Sequence, residues 1–116
     1  MESVHDLQEP WFSLVKLGIK TIDGRLNRKD FANMKVYDII YFTNNVFGFE
    51  RICKVIIEKI TSYKTFYDYL TCETLDKCLP GIDNIEDGKQ VYYHYFNKED
   101  EMICGVRAFE IKVVPM

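Results

Sequence analysis

Apolar and polar positions along the chain switch between the strand period and the helix period. Ser3–Gln8 alternates polar and apolar residues and predicts a short strand. Residues 10–17 carry Trp11, Leu14 and Val15 on one stripe behind Pro10, with Gly18 as a stop, and predict a short helix. Residues 20–26 predict a strand with Ile22, Gly24 and Leu26 on one face and Thr21, Asp23 and Arg25 on the other. Asn27–Lys35 is polar and basic, a loop with one helical turn. Asp38–Thr43 and Phe49–Thr61 are β-branched and aromatic, separated by the turn-rich Asn44–Gly48, and predict an antiparallel hairpin. The run Val55-Ile56-Ile57 predicts burial on both faces of the longer strand.

Three helical pieces follow: one opening at Ser62 or Lys64 and running through Leu70, a turn over Leu75–Cys78, and a third capped by Asn84. Asn97–Glu101 reads as a charged turn, and Met102–Val114 as the closing strand. This irregular order, with long strands in the middle and at the end, predicts an α+β domain spanning residues 1–116. Its expected form is a small antiparallel β-barrel with short flanking helices.

Composition narrows the function classes. An apolar share of 47% suits a globular chain rather than a disordered one. No apolar run is long enough to span a membrane. The start Met-Glu-Ser-Val-His-Asp lacks the features of a secretory leader, so an intracellular location is expected, in the cytoplasm, the nucleus or both. The four cysteines, at 53, 72, 78 and 104, form no Cys-x-x-Cys pair and are read as free thiols, with Cys53 and Cys104 placed in strands. No metal-ligand spacing and no cofactor loop is present, so neither a metal nor a cofactor is expected. The net charge of −3 is uneven, because residues 13–36 alone hold six cations against two acids. That distribution argues against bulk coating of nucleic acid and leaves room for a local phosphate or nucleotide site.

The candidate chemistry concentrates in Gly18–Arg25. Lys20 can serve as a base or nucleophile if it is kept dry. Asp23 can orient it or relay a proton. Arg25 offers a planar fork to a phosphate or carbonyl oxygen. By strict strand parity Lys20 points away from Asp23, so the charges converge only if the strand starts after Lys20 or bulges at Gly24. The same residues also suit a solvated strand face with a cross-face ion pair of little energetic weight. Arg28, Lys29 and Lys35 form a basic loop that suits a phosphate-contacting rim or, equally, a solvated surface. Trp11 and Phe12 suit base stacking or core, and at least one is expected in the core. Tyr92, Tyr95 and Phe96 share a helix side and are read as core, with phenol tips reaching solvent.

Gly18-x-Lys20-x-x-Asp23-x-Arg25 resembles the Gly-x-Lys-x-x-Glu-x-Arg signature of the ASCH (activating signal cointegrator homology) domain family. Pro10-Trp11-Phe12 is similar to the family's entry helix, and Val36–Phe42 to its Val-Gly-Asp-Ile-Ile-x-Phe strand. Tyr63–Phe66, Leu79-Pro80-Gly81 and Gly105–Ala108 also match small stand-alone members. The resemblance implies a PUA-like barrel associated with RNA, with the signature lysine, acid and arginine at the mouth of a cleft. Some members are amidohydrolases that remove the acetyl group from acetylated cytidine; others are ribonucleases or nucleic-acid binders. The amidohydrolases carry a Thr where Asp23 stands here, and they use a helical carboxylate for which Glu73 and Asp76 are the candidates.

The resulting expectation is an RNA- or modified-nucleoside-binding domain. Its ligand contacts are expected from Trp11, Gly18, Lys20, Thr21, Asp23, Arg25, Arg28 and Lys29. An amidohydrolase or ribonuclease using Lys20 and Asp23 is the alternative, and a protein-interaction module is the third.

Overall fold

A computed structural model of the protein describes residues 1–116. In chain order the elements are β1 (Glu2–Asp6), α1 (Trp11–Lys16), β2 (Ile22–Leu26), α2 (Lys29–Asn33), β3 (Ile39–Asn44), β4 (Arg51–Tyr63), α3 (Phe66–Glu73), α4 (Leu75–Cys78), α5 (Ile85–Tyr93), α6 (Lys98–Cys104) and β5 (Val106–Val113). The five strands form one sheet in the order β1-β3-β4-β5-β2. The sheet curves into a half-barrel flanked by the helices, an α+β PUA-like fold.

The hairpin pairs as expected, with β3 antiparallel to β4 and β5 antiparallel to β4 and β2. The barrel is mostly antiparallel, with one parallel pairing, that of β1 with β3. The chain passes through α1, β2 and α2 before β3, a connection long enough to bring the second strand back in the same direction. β4 is the longest strand, and it alternates. Cys53, Val55 and Ile57 are buried while Ile56 is only half-buried, so one face is covered rather than both. The sheet irregularity falls on β4 between Ile57 and Lys59, not at Gly24.

The closing strand is shorter than the pattern predicts. Residues 98–104 form α6, because the Asn97 side chain accepts the Asp100 N–H at 2.7 Å and Glu99, Asp100 and Glu101 favour a helix N-terminus. Gly105, at φ +72, then ends the helix and releases the chain into β5. Met102 and Ile103, which suggested a strand, lie exposed on α6. Cys104 accordingly sits on a helix, whereas Cys53 is buried in β4.

α3 starts later than expected, at Phe66, since Tyr63 still pairs with Val106 in the sheet. Its first turn is held from two directions. Thr65 accepts the Asp68 N–H at 3.1 Å, and the buried Glu101 carboxylate accepts the Phe66 N–H at 2.7 Å. Glu101 also accepts from the Tyr93 hydroxyl at 2.7 Å. That hydroxyl is pushed up to about 12 by burial and by this hydrogen bond.

Two apolar clusters result. One fills the barrel with Phe12, Val15, Phe42, Val55, Ile57 and Phe109. The other lies between the sheet and the α3–α5 layer, around Phe66, Tyr69, Leu70, Leu79 and Tyr92. Trp11 packs against both.

Gly24 is where these layers touch. A Cβ there would stand 2.5 Å from Cζ of Tyr69, whose ring is fully buried and whose hydroxyl bonds that of Tyr92 at 2.7 Å. Gly24→Ala is therefore expected to cost about 1–3 kcal/mol, because neither ring nor strand has room to move. Gly18→Ala, at φ +76 with open space around it, should cost only roughly 1 kcal/mol of backbone strain. Urea unfolding of both variants checks the order; an equal or smaller loss for Gly24→Ala would contradict it.

Candidate functional site

The half-barrel leaves an open seam between its edge strands β1 and β2, and the signature residues stand in it. β2 begins at Ile22, so Lys20 precedes the pleat and is free of its parity. The main chain of Thr21 bonds Lys77 O and Ile111 N, which draws the segment between α4 and β5. Lys20 is thereby buried, 3% exposed, and donates from Nζ to the carbonyl of Ile22 at 2.6 Å and to that of Cys78. Asp23 is buried to the same degree and accepts from Arg25 Nε at 2.9 Å. The Arg25 guanidinium lies 4.8 Å over the Phe31 ring and 5.7 Å over Phe42, and reaches Asp6 O across the seam at 3.5 Å.

Lys20, Asp23 and Arg25 all line one cavity of about 280 Å³. Its other walls are Trp11 from α1, Asp6, Leu7 and Gln8 at the end of β1, and Leu79, Val91, Tyr92, Tyr95 and Phe96 from the helical layer. The Trp11 ring lies 5.8 Å from Lys20 Nζ. The cavity is mostly apolar and aromatic, with a carboxylate, an amine and a guanidinium along one side. Such a wall accepts a flat ring on its faces and polar edges at fixed points.

A second chamber of about 270 Å³ adjoins it, lined by His5, Leu26, Arg28, Lys29, Asp30 and Phe31 and sharing Arg25 and Phe96 with the first. Arg28 and Lys29 therefore stand beside the cavity rather than in it. Arg28 pairs with Asp100 at 3.0 Å.

Gly18 and Thr21 face elsewhere. With Lys20 they line a cleft of about 510 Å³ together with Glu58, Glu73, Lys77 and Glu110. Thr21 does not share the Asp23–Arg25 side because it lies before the strand. Glu73 is bonded to the Tyr63 hydroxyl, and neither Glu73 nor Asp76 lines the cavity. Phe12 is core, as one of the two α1 aromatics was expected to be. The aromatic run at 92–96 is core only in part. Tyr92 is buried, but Tyr95 is 47% exposed and walls the cavity with Phe96. The density of aromatics was the signal for this wall; their side of the cavity was set by how α5 docks.

The ASCH domain family model matches residues 6–114. The chain belongs to the ASCH domain family. Among solved structures, this ASCH domain is similar to the hypothetical protein PH0355, with 34% identity and a TM-score of 0.89 over 98% of this chain and 100% of that one. It is similar to protein PF0455 from Pyrococcus furiosus, with 35% identity and a TM-score of 0.81 over 100% of both chains. The S128A mutant of ZmASCH from Zymomonas mobilis shares the fold at 16% identity, with a TM-score of 0.65 over 96% of this chain and 67% of that one. No curated protein matches the chain. The family match and the solved structures agree with the PUA-like fold described above. No helix of this ASCH domain is long and apolar enough to cross a membrane.

Burial gives Lys20 an unusual titration. Desolvation lowers its amine to about 8, opposed by the Asp23 carboxylate and reinforced by the Arg25 guanidinium. The folded protein thus sheds this proton before the unfolded chain, whose lysine titrates near 10.4. Between those values the unfolded state holds more protons, so this contribution to stability grows as pH rises from about 8 towards 10. The stability difference between the wild type and Lys20→Met should therefore shift in favour of the wild type by roughly 2 kcal/mol from pH 7 to pH 10. Taking the difference cancels the other lysines and tyrosines. Denaturant unfolding at each pH measures it, and a flat difference would mean that the amine is not desolvated.

Proposed function

We propose that the seam cavity of this ASCH domain binds a single base or modified nucleoside of RNA. The observation that carries the reading is the convergence of Trp11, Tyr95 and Phe96 with Lys20, Asp23 and Arg25 around one cavity of about 280 Å³. The aromatic and apolar walls take the ring faces. Two of the three ammonium donors of Lys20 go to main-chain carbonyls, which leaves one for a ring carbonyl oxygen. Asp23 accepts from a ring or exocyclic N–H, and Arg25, held by Asp23 and Phe31, donates beside it. A donor–acceptor–donor row of this kind suits a uracil-type edge, where carbonyl, N–H and carbonyl alternate. The cavity has room for one base and none for a duplex, so the reading is of an unpaired or extruded nucleotide.

Trp11 is the only tryptophan and lines the cavity, so its fluorescence reports occupancy. Titration with cytidine, acetylated cytidine, uridine, adenosine and guanosine should give saturable quenching by at least one of them. Lys20→Ala and Arg25→Ala should each weaken that binding by about tenfold or more, the range for a lost hydrogen bond to a charged group. Lys64→Ala, at an exposed position, should not. Affinity should fall as pH rises through about 8, because the donor is the protonated amine. Absence of quenching by every nucleoside and by its monophosphates would reject the reading.

A second reading, hydrolysis of the amide of acetylated cytidine, draws on one observation: an amine at about 8 is partly neutral near neutral pH and so available as a nucleophile or base. It predicts the opposite pH dependence. Free cytidine should then appear at a rate that climbs through about pH 8 and vanishes in Lys20→Ala. Saturable binding without turnover would leave binding as the function.

A further inference from the structure

The second chamber has a charge pattern that the first does not explain. Arg25 and Phe96 line both, so the two are halves of one continuous cleft with Arg25 as the divide. Beyond Arg25 the walls change from aromatic to cationic, with Arg28 and Lys29 beside Asp30. The chain as a whole is at −3, so this is a local reversal of sign.

Several donors there are unused. Arg25 gives Nε to Asp23, and its only other hydrogen bond is the 3.5 Å contact from one terminal nitrogen to Asp6 O. Arg28 gives one terminal nitrogen to Asp100 and keeps the other. Lys29 makes no ion pair. His5 Nε2 is buried without a hydrogen-bond partner, 3.8 Å from the Asp30 carboxylate. Its ring is held 4.4 Å from Phe31, the same ring that carries Arg25. Burial and the Arg25 charge lower His5 against the opposing pull of Asp30 and Asp23, so at neutral pH the ring is an uncharged orphan. A buried polar atom left without a partner calls for a ligand or water.

We propose that this chamber binds the phosphate attached to the base or nucleoside held in the first, with Arg25, Arg28, Lys29 and His5 as its donors. The proposal rests on the base-binding reading of the first chamber and narrows it: the ligand is a phosphorylated nucleotide rather than a free nucleoside. An anion between Arg25 and Lys29 gains charge-assisted hydrogen bonds from both. Arg25 then touches the base on one side and the phosphate on the other, which sets the distance between them. A terminal phosphomonoester and an internal phosphodiester share this chemistry.

The test compares ligands that differ only in phosphate. Each of the five nucleosides is titrated beside its 3′- and 5′-monophosphates and beside dinucleoside phosphates that carry it. At least one phosphorylated form should bind tenfold or more tightly than its parent nucleoside. In Lys29→Ala and Arg28→Ala that ratio should fall towards one, with thermal melting confirming that the variants are folded. A gain with monophosphates alone identifies a free nucleotide as ligand, and a gain that extends to the dinucleoside phosphates identifies an RNA strand. Nucleoside binding with no gain from any phosphate overturns the proposal and leaves the base-binding reading intact. A gain that survives unchanged in both variants overturns the assignment to this chamber. Failure of nucleosides and phosphorylated forms alike overturns both readings.

Discussion

The Lys20 ammonium joins the two halves of this fold. Its hydrogen bonds run to Ile22 at the start of β2 and to Cys78 at the end of α4, so one buried group ties the barrel to the helical layer. The adjacent Thr21 N–H reinforces the link through Lys77 O. Removing a charge from water is expensive, and proteins keep such groups only where partners surround them. Here Asp23 supplies the opposing charge and two carbonyls supply acceptors, while desolvation still drags the amine down to about 8. An amine in that state is responsive to whatever enters beside it, because a new acceptor or a new charge shifts its proton equilibrium directly.

The seam gives that amine something to face. In a closed barrel the edges of β1 and β2 would pair with each other; in this order they stand at opposite ends of the sheet. Arg25 spans the gap through Asp6 O without closing it. Helix α1 covers one side with Trp11, and the segment after α5 covers another with Tyr95 and Phe96. Unpaired strand edges are usually shielded from other chains. Covering this one with aromatic side chains rather than backbone produces a cleft with flat walls and charged rungs. The absence of a side chain at Gly24 matters for the same reason. It lets Tyr69 lie against β2, which sets how closely the helical layer approaches the cavity.

Much of this was legible in residue order. The hairpin Asp38–Thr61 announced itself by β-branched runs around Asn44–Gly48, because strand pairing across a short turn is a local matter. The family signature and its neighbours pointed to the PUA-like fold. A glycine inside a strand pattern marks either a bulge or a close approach, and only the packing of Tyr69 against Gly24 decided for the second. The helix at 98–104 was missed because Met102 and Ile103 supplied a strand-like apolar signal, while the Asn97 cap and acidic first turn decided otherwise. The parallel pairing of β1 was not legible either, since nothing in an isolated strand specifies the direction of a partner distant in sequence.

By itself, then, the sequence determined which residue types carry the chemistry and which elements hold them, because capping, periodicity and turn formation act over a few neighbouring residues. Only the tertiary structure decided which of those residues meet. Lys20 joins Asp23 and Arg25 because β2 starts two residues later, and Thr21 leaves the group for the same reason. Tyr95 and Phe96 become a wall, Arg28 and Lys29 move to an adjoining chamber, and Glu73 turns to Tyr63. Each of these outcomes depends on how a helix docks across the open edge of a sheet. Docking is a property of surfaces brought together from distant parts of the chain, and no local pattern encodes it.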